Sequence, residues 1–117
     1  MEGIQLFEAE LADSSLEEAN LKSSSLAGVD LSGGSLKGTD FTGAHLIDVT
    51  IEGGTVENTN FTGATIRDGT KFSDLTLKDV NLTGATIASG TFESNVVFTN
   101  VTCPNGSNSS SSSRCGF

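Results

Sequence analysis

The chain has 117 residues, 35% of them hydrophobic, with no Trp, no Tyr and a formal net charge of −9. That length bounds a single domain, and six dispersed Lys and Arg cannot displace counterions from phosphates, which argues against direct nucleic-acid binding. So thin an apolar fraction would leave a chain unfolded if it were scattered; here it is strictly periodic, and period outranks composition.

Met1 to Gln5 have neither a basic nor an apolar signal-peptide region, so no leader is read there. No apolar run approaches the roughly 18 residues that span a bilayer, so no membrane insertion is expected.

From Leu6 a large apolar residue recurs at every fifth position: Leu11, Leu16, Leu21, Leu26, Leu31, Leu36, Phe41, Leu46, Ile51, Val56, Phe61 and Ile66. After one extra residue the series resumes as Phe72, Leu77, Leu82, Ile87 and Phe92, and after a second as Phe98 and Cys103. A longer period lies on top of it. Asp40-Phe41-Thr42-Gly43-Ala44 returns as Asn60-Phe61-Thr62-Gly63-Ala64, and again as Asn81-Leu82-Thr83-Gly84-Ala85. With each large apolar residue called the centre i, position i−2 is small or modestly apolar (Ala9, Val29, Ala44), i−1 is often acid or amide (Asp30, Asp40, Asn60), and i+2 is largely Gly or a short polar residue.

A period of five matches neither a helix nor a flat strand. It fits a coil in which five residues make one side of a square and then turn a corner, so that four sides close a turn of twenty. Centres point inward, while Gly, Asn and Asp near the corners tolerate the backbone angles of a turn. Twenty centres predict about five coils stacked at roughly 4.8 Å. The first side should stack Leu6, Leu26, Leu46, Ile66 and Ile87, the second Leu11, Leu31, Ile51, Phe72 and Phe92. The third should stack Leu16, Leu36, Val56, Leu77 and Phe98, the fourth Leu21, Phe41, Phe61, Leu82 and Cys103. Gly34 and Gly54, in one interior column with Ser14, are expected to leave room for bulky neighbours. The two extra residues fall in Asp68-Gly69-Thr70-Lys71 and Ser94-Asn95-Val96-Val97, at corners where a bulge absorbs them.

Ala19-Asn20-Leu21-Lys22-Ser23, Val29-Asp30-Leu31-Ser32-Gly33 and Val80-Asn81-Leu82-Thr83-Gly84 resemble the A(D/N)LXX unit of the pentapeptide-repeat family, over about residues 4 to 103. The resemblance implies an all-β fold, a right-handed quadrilateral parallel β-helix. It implies nothing specific about activity, because members of the family serve varied roles.

The β-helix is expected over residues 1–103, followed by a tail over 104–117 whose serines 109 to 113 form a low-complexity, mobile run. Pro104 cannot donate to a further coil and helps to end the array. Cys103 and Cys115 bracket the tail. Without a CxxC pattern, and with the lone His45 far away, zinc lacks ligands. A disulfide closing the tail is the leading reading, with two free thiols as the alternative. The tail also resembles one that follows the repeats in some cyanobacterial and other bacterial members. A disulfide implies an oxidising compartment (periplasm, thylakoid lumen or the exterior), whereas the missing leader is consistent with the cytoplasm; the extracytoplasmic reading is slightly favoured.

No catalytic constellation, metal set or phosphate loop is legible, so the chain is read as no enzyme and as needing no cofactor. What remains is the outer surface. On the third side Glu17, Lys37, Glu57 and Lys78 should form an ion-pair ladder. The second side carries Glu10, Asp13, Asp30, Glu52, Asp74 and Glu93 against Lys71 alone and is the candidate surface for a basic protein partner. The first side presents Phe7, Ala27, Ile47, Arg67 and Ala88, the most apolar outer stripe, and the fourth stacks Thr42, Thr62 and Thr83. The leading function is a protein-interaction or scaffold module with an unidentified protein partner, monomeric or weakly associated end to end. The alternative is a mimic of DNA that inhibits or protects a type II topoisomerase such as gyrase, to which the negative charge lends itself.

Overall fold

The computed structural model describes residues 2–67, 69–93, 95–109 and 114–117. The chain winds as a right-handed parallel β-helix of square cross-section, with overall extents of 33 × 25 × 24 Å. The first side is strand throughout. Strands β1 (Gln5–Phe7), β2 (Ser25–Ala27), β3 (His45–Ile47), β6 (Thr65–Ile66) and β9 (Thr86–Ile87) pair in parallel as one five-stranded sheet. Its register places Leu6, Leu26, Leu46, Ile66 and Ile87 above one another, as the period requires. Four turns therefore separate the first rung from the fifth.

The other sides are less uniform than a square of equal strands. On the second, only β4 (Thr50–Glu52) and β7 (Lys71–Ser73) pair as strands, and on the third β5 (Val56–Glu57), β8 (Thr76–Lys78) and β10 (Val97–Thr99). The earlier coils on these sides, and nearly all of the fourth side, are tight turns joined by single bridges such as Asn20 to Asp40, Asp40 to Asn60 and Asn60 to Asn81. In most of these turns the amide three residues after the centre bonds back to it, as Ala44 N–H to Phe41 C=O at 2.9 Å and Ala64 N–H to Phe61 C=O at 3.0 Å. The third turn residue has positive φ, as at Ser23 and Gly43, which makes these type II turns.

Asp or Asn at i−1 marks a turn, whereas Ser occurs with both shapes, Ser35 before a turn and Ser25 in a strand. Where i−1 is Asp or Asn, its side-chain oxygen accepts the amide of i+1 and the side turns: Asp30 from Ser32, Asp40 from Thr42, Asn60 from Thr62 and Asn81 from Thr83, all at 2.9 Å. Thr50, Lys71, His45 and Val97, by contrast, stand at i−1 and begin strands. The first group satisfies the turn amide locally, and most of the second are at home on a pleated surface.

Centres from Leu21 to Phe98 are buried, apart from the half-buried Ile87, and those of the first coil (Leu6, Leu11, Leu16) are half-buried. The rings form a connected series through the interior. Phe41 and Phe61 stack in parallel at 4.9 Å, Phe61 meets Phe72 edge-on at 6.0 Å, Phe72 meets Phe92 at 5.0 Å and Phe92 meets Phe98 at 5.1 Å. Each buried ring contributes about 1.5–3 kcal/mol from burial alone. Buried hydroxyls at i−2 bond backbone carbonyls, Thr39 to Leu16 and Thr59 to Leu36, both at 2.7 Å, so they carry no desolvation deficit.

The pairing offset changes from 20 to 21 residues between Ile66 and Lys71, as the extra residue requires, and again ahead of Val97. Asp68 and Ser94, the residues nearest these insertions, lie outside the described residues. Two expectations are corrected. Gly34 and Gly54 do not leave room for bulky neighbours: a Cβ at either would strike the carbonyl oxygen of the coil below, that of Ser14 or Gly34. And Ser109, expected in a mobile run, is buried in β12 (Asn108–Ser109), which pairs antiparallel with β11 (Val101–Thr102). Serines 110 to 113 of that run lie outside the described residues.

Candidate interaction faces

Beyond the first coils, where Leu6, Leu11, Leu16, Leu21, Leu26 and Leu31 line a small apolar cavity of about 140 Å³ at the N-terminal end, the interior is filled by side chains, and polar binding chemistry sits on the outer faces, where parallel register sets the spacing of every column. The second side gathers the acids that the sequence singled out. Glu10 and Asp30 are bridged neighbours at i−1, Glu52 and Glu93 stand at i+1, and Asp13 and Asp74 occupy the following corner. Glu10 and Asp13 face water without an ion pair among the described residues. Glu93 is 3.6 Å from Lys71, Glu52 accepts the Ser73 hydroxyl at 3.4 Å, and Asp74 accepts from Asn95. The Ser32 hydroxyl and amide at Asp30 hold its carboxyl below the ordinary 3.8 against a small opposing effect of burial. The lower half of the face is thus freely anionic, and the upper half is partly neutralised by Lys71.

The expected ion-pair ladder on the third side is not formed. Glu57 and Lys78 are in register, yet the ion pairs among the described residues are Lys22–Asp40 at 3.7 Å and Lys71–Glu93. Glu17 instead accepts the Ser35 hydroxyl at 2.9 Å. A hydroxyl one rung away needs no long side chain to be immobilised, so it competes well with an exposed pair worth about 0–1 kcal/mol. On the fourth side Thr42, Thr62 and Thr83 do stand in a column, their hydroxyls donating to Asp40, Asn60 and Asn81 at 2.6, 2.5 and 2.5 Å. Burial pushes the Asp40 carboxyl up, but the Thr42 hydrogen bonds and the Lys22 charge outweigh it and leave its pKa below 3.8.

At the C-terminal end Cys103 and Cys115 are joined, with Sγ–Sγ 2.07 Å and Cα–Cα 5.5 Å. The Cys115 amide donates to Ser109 Oγ at 2.8 Å, and the Phe117 ring lies 5.2 Å from Phe92. Together with β12, these contacts lay the tail across the last coil. His45 is exposed in the column Ser25, His45, Thr65, with no carboxylate in that column. Among the described residues no group of three or more His, Cys, Asp or Glu is arranged to hold a metal ion, and no helix is long and apolar enough to cross a membrane.

The first side carries a feature that reading its columns singly did not reveal. Phe7 and Ile47, 66% and 40% exposed, stand two rungs apart with only Ala27 between them. At the adjoining corner Glu8 and Asp48 are likewise separated by Gly28. These six residues line an open surface slot of about 360 Å³. The signal in the sequence is the alternation Phe7-Glu8, Ala27-Gly28, Ile47-Asp48 at twenty-residue spacing, visible only when two columns are compared together.

Among solved structures, the chain is similar to the pentapeptide repeat protein Rfr23 from the cyanobacterium Cyanothece 51142, with 24% identity over 84% of this chain and 66% of that one, at a TM-score of 0.47. It is similar to HetL from the cyanobacterium Nostoc, a pentapeptide repeat protein involved in heterocyst differentiation regulation, with 18% identity over 93% of this chain and 65% of that one, at 0.34. It is also similar to QnrB1, a plasmid-mediated fluoroquinolone resistance protein, with 12% identity over 85% and 70% of the two chains, at 0.29. The chain spans about two thirds of the length of the first two, 66% and 65%. No curated protein matches it. The pentapeptide-repeat model matches eight copies over residues 4–43 and 24–63, together more than half of the chain, and the chain therefore belongs to the pentapeptide-repeat family.

Proposed function

We propose that the chain is a non-catalytic protein-interaction module and that its second side docks a basic surface of a protein partner. The observation that carries this reading is the freely anionic lower half of that side, where Glu10, Asp13 and Asp30 lie on adjoining rungs of a rigid stack. A regular solenoid offers a partner a preformed surface at little ordering cost, and a one-signed face raises the association rate in a salt-dependent way. The test is affinity capture from the source cells at low and high salt, comparing the native chain with a Glu10→Gln, Asp13→Asn, Glu52→Gln, Asp74→Asn variant. A defined partner held by the native chain, released by salt and lost by the variant is expected; equal recovery on both chains would sink the reading.

The net charge of −9 favours one second reading, mimicry of DNA towards a type II topoisomerase. A gyrase supercoiling assay separates the two: inhibition or protection at micromolar protein supports mimicry, and unchanged supercoiling leaves the docking module.

A further inference from the structure

The slot on the first side lies on a different surface from the acidic one and has a different chemistry. Its floor is Ala27 and Gly28, the two smallest residues available, while the rungs on either side supply one large apolar side chain and one carboxylate each. Two rungs set the walls about 10 Å apart at the backbone, which leaves the width of one side chain between Phe7 and Ile47. Glu8 leans into the corner over Gly28, its Cγ 3.1 Å from where a Cβ would stand, whereas Asp48 leans onward towards Gly69. Neither carboxylate forms an ion pair among the described residues, and Arg67, the next residue in the column above Ile47, is in no ion pair there either. An exposed Phe–Ile pair beside two carboxylates without ion pairs presents apolar area and negative charge side by side, and one kind of group complements both at once.

We propose that this slot receives an arginine side chain from a partner protein. The methylenes pack between Phe7 and Ile47 over Ala27, and the guanidinium reaches Glu8 at the corner, with Asp48 supplying the second negative charge. Arginine fits better than an apolar residue because its stem covers the apolar walls while its planar head stacks on an aromatic face and forks to a carboxylate. The cation is further attracted to the Phe7 ring.

The test is a titration of the ¹⁵N-labelled chain with acetyl-Gly-Gly-Arg-Gly-Gly-amide, against the same peptide carrying citrulline, which keeps the shape and removes the charge. Saturable shifts are expected at the Phe7, Glu8, Ala27, Gly28 and Asp48 amides, with apparent affinity at least tenfold weaker for the citrulline peptide. Phe7→Ser and Glu8→Gln should each weaken arginine binding at least fivefold. Phe7 is exposed, so its replacement leaves the fold intact, as the rest of the spectrum will report. Equal shifts with citrulline, or arginine shifts as large at Glu10, Asp13 and Glu52 as in the slot, would overturn the proposal. The variants that test the second side leave the slot untouched, so either idea can fail alone.

Discussion

At the scale of the residue, the tightest constraint is a missing side chain. Gly54 has φ +90°, and a Cβ there would collide with the carbonyl oxygen of Gly34, whereas a Cβ at Gly63, φ +66°, would meet open space. Both substitutions carry the strain of positive φ, but only the first also forces two coils apart. Gly63→Ala should cost about 1 kcal/mol and Gly54→Ala about 2–4 kcal/mol, read as the shift in urea-unfolding free energy. Equal losses would mean that the stack gives way easily at that corner. The glycine at Gly54 was legible in the sequence, but its cause was not, because the colliding oxygen belongs to a residue twenty positions away.

At the scale of the element, the Asx turn is what distinguishes the fourth side from the first. Asp40 occupies the position that Asn60 and Asn81 fill on the rungs beyond, and all three accept the amide and hydroxyl of the threonine two residues on. Asp40 differs only in its charge and in its pairing with Lys22. A carboxyl whose pKa is lower folded than unfolded adds stability above the unfolded value, and that stability is lost as pH falls through the folded value. Its contribution should therefore be complete above pH 5 and fade from just above 3.8 downward. Asp40→Asn keeps the turn, so at pH 7 it should change stability by about 1 kcal/mol or less. Thermal melts between pH 7 and pH 2.5 should show a shallower acid loss for the variant; parallel curves would assign that loss to other carboxylates. This element was half visible beforehand. The Asn-x-Thr recurrence was plain in the sequence, but that it selects a turn over a strand emerged only from comparing the sides.

At the scale of the whole molecule, the stack ends in an antiparallel strand and a disulfide in place of a further coil. The Cys103–Cys115 bond spans 12 residues, and closing a loop of that size stabilises by about 3 kcal/mol in the chain-entropy model. Cys115→Ser should lower stability by about 2–3 kcal/mol. Amide exchange should quicken first in β11 and β12, while the rungs around Phe41 and Phe61 keep their protection. Uniform acceleration along the rod would show that the tail supports the entire stack and does not merely close its end.

The sequence by itself determined the coil, the contents of each column and the place of both insertions. Apart from the six-residue steps after Ile66 and Phe92, the centres repeat at a period of five, and a one-position slip would turn the apolar set out of the interior. Only the tertiary structure decided which sides turn and which extend, why Gly34 and Gly54 must lack side chains, that Glu17 takes a hydroxyl in place of Lys37, and that Phe7, Glu8, Ile47 and Asp48 wall a single slot. Apart from the turns, whose Asx bonds close within two residues, these features depend on atoms one or two rungs apart, from 18 residues along the chain for Glu17 and Ser35 to two coils for Phe7 and Ile47. A period specifies which residues meet there, but not the distances and directions at which their side chains do so.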